Sequence, residues 1–124
     1  MSGPFVVVVK SRVKPGMSGA YDVWLETFCR LVDEREPRIL GFHTYSDQKG
    51  ELSTVVQVHP DAESMEFHFH AMGDQLEEMH QYLDGVESIE LLGSPTDRVL
   101  KGLSQYQDVL DVSPVYVAGV SRLA

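Results

Sequence analysis

The stretch His59-Pro60-Asp61-Ala62-Glu63-Ser64-Met65-Glu66-Phe67-His68-Phe69-His70 closes a strand and opens a helix. Before it, the side chains follow a period of two. Leu52, Thr54, Val56 and Val58 share one face of a strand, and Ser53, Val55, Gln57 and His59 share the other. After it, the spacing becomes helical, with Met65, Phe69, Met72, Leu76, Met79 and Leu83 in a stripe near heptad spacing. Asp61 has the short acceptor side chain of an N-cap. Gly73 is a point where this helix kinks or divides in two. His68 enters the apolar face two turns after the start, which sets a titratable imidazole on an inner wall.

Working outward, Phe5–Val13 reads as a first strand, rich in β-branched residues. Its four consecutive valines imply burial on both faces. Lys14-Pro15-Gly16 breaks it. A helix follows from about Met17 to Arg35, with Met17, Ala20, Tyr21, Trp24, Leu25, Phe28, Leu31 and Val32 three and four apart. Pro37 ends it, because the residue before a proline avoids the helical region. The acidic run Asp33-Glu34-Arg35-Glu36 reads as a solvated helix end. Ile39–Ser46 is a second strand, joined through Asp47-Gln48-Lys49-Gly50 to Leu52–His59 as an antiparallel hairpin. Val86–Leu92 is a fourth strand. Beyond it, Ser94 as cap and Pro95 at the first position open a short helix carrying Val99, Leu100, Leu103 and Tyr106, and Val115–Val120 reads as a last strand.

This order predicts an α+β, ferredoxin-like βαββαβ sandwich, with the third strand inserted beside the first. Residues 1–93 form its core, and 94–124 add a helix and strand to the same domain. Two helices cover one sheet face, and the valines demand cover for the other. A second copy of the chain supplies it most simply, so a homodimer packed sheet against sheet is expected.

Composition narrows the partners. With 19 acidic and 10 basic residues among 124, the net charge of −9 repels phosphate backbones and anionic membrane. The run Phe5–Val9 is too short to span a bilayer, and Met1-Ser2-Gly3-Pro4-Phe5 lacks the features of a signal peptide. Cys29, the single cysteine, sits in a helical pattern as a small hydrophobe and permits no intrachain disulfide, which fits a reducing, cytoplasmic setting.

Four segments resemble the antibiotic biosynthesis monooxygenase (ABM) domain of the dimeric α+β barrel superfamily. Val13-Lys14-Pro15-Gly16 resembles the strand exit before that family's first helix. Glu36-Pro37-Arg38-Ile39-Leu40-Gly41-Phe42 resembles its Glu-Pro-Gly-x-x-Gly-aromatic lead-in to the second strand. Asp61-Ala62-Glu63-Ser64-Met65-Glu66-Phe67-His68 resembles its Asp-x-x-Ala-Leu-x-x-His helix start, and Glu87–Leu92 falls at the expected distance. Arg38 replaces the usual glycine and Ser64 the usual alanine. The resemblance spans about Phe5 to Leu92. What it implies for chemistry is limited: some members oxidise polycyclic aromatic phenols or hydroquinones with molecular oxygen and no metal or flavin, and others degrade haem or act on small metabolites by unrelated routes. The expectation for this chain is oxidation of a small aromatic or quinol-type molecule with no cofactor. The haem-degrading members carry an asparagine on the first strand, where this chain has Phe5-Val6-Val7-Val8-Val9.

His68 matches the helix histidine of that pattern and is the candidate general base for a phenolic proton. The plainer reading is a packed imidazole bonded to backbone. Tyr21, Trp24 and Phe28 on the first helix, Phe42 and His43 on the second strand, and Met65, Phe69 and Met72 on the second helix are candidates to line a slot for a flat apolar ligand. Tyr45 is a further neighbour for that slot, and core packing is the bland account of these aromatics. His68 and His70 diverge by about 200° and cannot chelate one ion together. A pairing of His43 with His68 across strand and helix is the remaining metal arrangement, and no metal is expected. His59 holds the turn into the helix, and His70 and His80 read as solvated. The alternative function is a non-catalytic dimeric small-molecule-binding or stress-response protein on the same scaffold.

Overall fold

The computed structural model describes residues 3–122, so the outermost residues of the expected core and extension lie outside it. β1 (Phe5–Val13) occupies the middle of a five-stranded sheet. The chain continues through α1 (Ser18–Arg35), β2 (Gly41–Ser46), β3 (Leu52–His59), α2 (Ala62–Ala71), α3 (Gly73–Glu78), a 3₁₀ turn at Met79–Gln81 and β4 (Leu83–Leu92). It ends with α4 (Asp97–Gly102), a 3₁₀ segment at Ser104–Val109 and β5 (Leu110–Ser113). The sheet order is β2-β3-β1-β4-β5. This is an α+β, ferredoxin-like arrangement with β3 beside β1, widened by one strand.

The valine run explains the position of β1. Val7 faces Gln57 on one neighbour and Leu91 on the other, and it is fully buried. Phe5, Val7 and Ser11 point at the helices, and so do Ser53, Val55, Gln57 and His59 of β3. Val6, Val8, Val56 and Val58 point the other way and stay half-buried within one chain. The β1–β4 ladder slips between Lys10 and Ser11 and again between Arg12 and Val13. Gly85 absorbs part of this irregularity at φ +143°, a backbone that side chains rarely adopt.

The stripe from Met65 to Leu83 divides at Met72, where α2 gives way to α3 at Gly73, and Leu83 already belongs to β4. Asp61 caps α2 as its sequence position predicts, its carboxylate accepting the Ser64 N–H at 3.0 Å. α4 starts later than expected: the cap is Thr96, whose hydroxyl accepts the Val99 N–H, rather than Ser94. The last strand is also misplaced by the sequence pattern. β5 is Leu110–Ser113, parallel to β4, and Val115–Val120 carries no strand. Leu110 and Val112 reach the core from that register, whereas Val115, Val117 and Val120 are more than three-quarters exposed. β-propensity alone does not supply a pairing partner.

Two apolar clusters hold the layers together. One joins Phe5, Val7, Ala62, Met65, Ile89 and Leu91 to Val99 and Leu103, so the extension packs on the same core as β1 and β4. The other joins Phe28, Val32 and Met72. Burying each of their larger side chains contributes about 1.5–3 kcal/mol.

Candidate functional site

A cavity of about 260 Å³ opens beneath the helices, above the middle of the sheet. Val9 and Ser11 of β1, Phe42 of β2, Val55 and Gln57 of β3 and Ile89 of β4 form its floor. Tyr21 and Phe28 of α1 and Met65, His68 and Phe69 of α2 form its walls, with Leu103 and Tyr106 of the extension. Glu77, His80 and Gln105 are exposed residues on its lining. Wider grooves of about 560 and 600 Å³ are more open to solvent and do not include His68.

His68 is the buried imidazole on this wall. Its side chain is only 1% exposed, and Nδ1 lies 2.6 Å from Oε2 of Glu36, which is equally shielded. A carboxylate only accepts, so Nδ1–H donates, and in the neutral ring Nε2 then carries the lone pair. The ring packs among Phe28, Phe42 and Phe69 at centroid distances of 5.9–6.5 Å. Among the described residues, Nε2 has no hydrogen-bond partner, and the sole occluded side-chain atom left unpaired is Glu36 Oε1. Nε2 is therefore open to the cavity that the ring lines.

The local sequence explains how a carboxylate comes to face this imidazole. Pro37 stops α1, and Glu36 takes the C-cap position with its N–H bonded to the Val32 carbonyl. The neighbours tie this corner down. Arg35 donates to the Ala71 carbonyl and to Gln75 where α2 meets α3. Arg38, in the place where the ABM pattern has glycine, pairs with the capping Asp61. The expected solvated helix end is thus corrected: Arg35 and Arg38 take the outward pairings, and Glu36 turns in.

A second buried imidazole lies beside the first. His59 is fully buried, with its ring centroid 6.2 Å from that of His68. Its Nε2–H donates to Gln57 Oε1 at 2.9 Å, and Nδ1 accepts from the Ser64 hydroxyl at 2.7 Å. Burial, followed by the repulsion that His68 exerts when its own ring is protonated, pushes its pKa down to about 4, so it is neutral near pH 7. Gln57, Glu36 and Ser64 were not singled out from the sequence for the site. The only prior signals were the Glu-Pro pair before β2 and the polar residues on the buried face of β3.

The other expected site residues separate. Tyr21, Phe28, Phe42, Met65 and Phe69 line the cavity with His68. Trp24 does not: its ring packs on Tyr21, Phe28 and Tyr82, and its indole N–H donates to Glu78. Met72 is fully buried in the Phe28–Val32 cluster. His43 is exposed on the opposite sheet face, beside Val56, so it cannot share an ion with His68. Tyr45 is 60% exposed on that same face. Burial holds the Cys29 thiol above its usual range. Among the described residues, no group of three or more His, Cys, Asp or Glu is placed to hold a metal. No described helix is long and apolar enough to cross a membrane.

The architecture is that of the ABM-like α+β proteins. Solved structures that share it include candidate antibiotic biosynthesis monooxygenases from Caulobacter crescentus and Chloroflexus aurantiacus. The first is 17% identical with a TM-score of 0.64, covering 73% of this chain and 88% of its own. The second is 15% identical with a TM-score of 0.60, covering 72% and 90%. MupZ from Pseudomonas fluorescens superposes over 98% of this chain and 91% of its own, at 13% identity and a TM-score of 0.83. That overlap takes in the C-terminal extension. At these identities the likeness is one of fold. The sequence matches no protein-family model and no curated protein.

Proposed function

We propose that this protein is an ABM-like monooxygenase that needs no metal or flavin and acts on a small phenol- or quinol-type molecule. The observation that carries the proposal is the buried His68–Glu36 pair on an aromatic-walled cavity, in which Glu36 holds Nδ1–H from behind and leaves Nε2 without a partner. The ligand hydroxyl gives its proton to Nε2, and the electron-rich anion that remains reacts with molecular oxygen. For an anthrone, a methylene carbon becomes a carbonyl: one oxygen atom enters the product and the other leaves as water. Dioxygen is the four-electron acceptor. The protein contributes orientation, exclusion of water and a base. Glu36 is a positioning residue that fixes the tautomer, and its charge stabilises the imidazolium that forms.

The half-buried valines on the outer sheet face support a homodimer as the working unit. The lone, half-buried Cys29 suits a reducing compartment such as the cytoplasm.

Oxygen uptake measured with a panel of quinols and anthrones tests this function. His68→Ala is expected to lower the rate by about 10²–10⁴-fold, the usual contribution of a positioned base. Glu36→Gln keeps an acceptor for Nδ1 and removes the charge, and is expected to cost about tenfold or more. Equal rates in wild type and His68→Ala would remove His68 from the mechanism. Saturable binding of the panel with no uptake would favour a non-catalytic binding protein.

A further inference from the structure

The hydrogen bonds of His59 have a consequence on the other side of the cavity. Gln57 Oε1 lies 2.9 Å from His59 Nε2 and can only accept, so the neutral ring carries its proton on Nε2 and its Nδ1 accepts from the Ser64 hydroxyl. The oxygen end of the Gln57 amide is thus turned to His59. The NH₂ end has no acceptor among the described residues, yet it is not an occluded orphan, a condition found only at Glu36 Oε1. Gln57 lines the same cavity as His68. A single small chamber therefore holds a proton acceptor on α2 and an N–H donor on β3.

We propose that the Gln57 amide is the donor that binds the ligand oxygen as it becomes anionic, with His59 as the positioning residue that aims it. The proposal rests on His68 acting as base. When the ligand O–H bond breaks, the proton bonds to His68 Nε2 and the electron pair stays on oxygen. Gln57 N–H then donates to that oxygen, and a hydrogen bond to a charged acceptor is roughly twice as strong as one to a neutral acceptor. The site thus selects small molecules with an acidic hydroxyl, such as phenols, over apolar molecules of the same shape.

4-Nitrophenol provides the test, because only its anion absorbs strongly in the visible and it ionises near neutral pH. Wild-type protein in excess is expected to lower the pH at which the dye ionises by roughly one to two units. Gln57→Glu preserves the acceptor that His59 needs and removes the donor. It is expected to raise the ionisation pH above that of free dye. Gln57→Met is expected to abolish most of the shift, and His59→Leu to reduce it without reversing it. Circular dichroism confirms that each variant is folded, and having both Gln57 variants guards against loss of one. Glu77 and His80 are common to all these proteins and cancel in the comparison.

If both Gln57 variants ionise the dye as wild type does while His68→Ala does not, the Gln57 proposal is overturned and the base survives. If His68→Ala behaves as wild type while Gln57→Glu does not, the base fails and the donor stands. A full shift in His59→Leu would overturn the positioning role. A dye unmoved by saturating wild-type protein overturns both.

Discussion

Burial acts on His59 in a way that solution pH can read. The folded protein keeps this imidazole neutral down to about pH 4, whereas an unfolded chain protonates it near 6.5. Between those values the unfolded state binds more protons, so stability falls as pH is lowered through the window and the loss is complete below about 4. The depression corresponds to roughly 3 kcal/mol. Urea unfolding between pH 7 and pH 4 is expected to show this slope, and His59→Gln to flatten it. A parallel pH dependence in the two proteins would rule out His59 as the source. His68 was legible as an inward residue because helical spacing with Met65 and Phe69 announces it. Its partner was not, because Glu36 lies 32 positions away and sits in a run of charge whose other members do face water. Local pattern reports the majority of such a run, and only the packing of α1 against α2 picks out the exception.

The extension beyond β4 forms part of the cavity wall, through Leu103 and Tyr106. Leu103 also belongs to the cluster around Val7 and Leu91. Leu103→Ala is expected to cost about 2–5 kcal/mol in urea unfolding and to admit bulkier phenols, since the site relaxes only partly around lost atoms. Unchanged stability together with unchanged size selectivity would show that the wall lies elsewhere. Most of the strands and helices were legible because their periodicity is long and their stops are clear, as at Pro37 and Gly50. The extension was not. Ser94 and Thr96 are both competent caps, and Val115–Val120 has stronger β-propensity than Leu110–Ser113. What decides is where the chain stands after crossing from the end of β4: Leu110 arrives opposite Ile89, and pairing begins there.

The outer sheet face sets the prediction for assembly. Val6 and Val8 of β1 meet Val56 and Val58 of β3 there, and Leu92 lies beside Val6. Light scattering is expected to give twice the chain mass for wild type. Val8→Lys would place a charge at the centre of this face and is expected to weaken association at least tenfold, equivalent to about 1.4 kcal/mol or more. A monomeric wild type would remove the dimer from the functional proposal. The order of construction matters as well, because four strands and the buried imidazole pair come from residues up to Leu92, while part of the chamber wall comes from Leu103 and Tyr106. A nascent polypeptide emerging from the ribosome can pair its first four strands before that wall has been synthesised. Under the proposed function, capture of a guest molecule is a late event in biogenesis, and a truncated translation product ending at β4 would keep the residues of the His68–Glu36 pair but leave their chamber roofless.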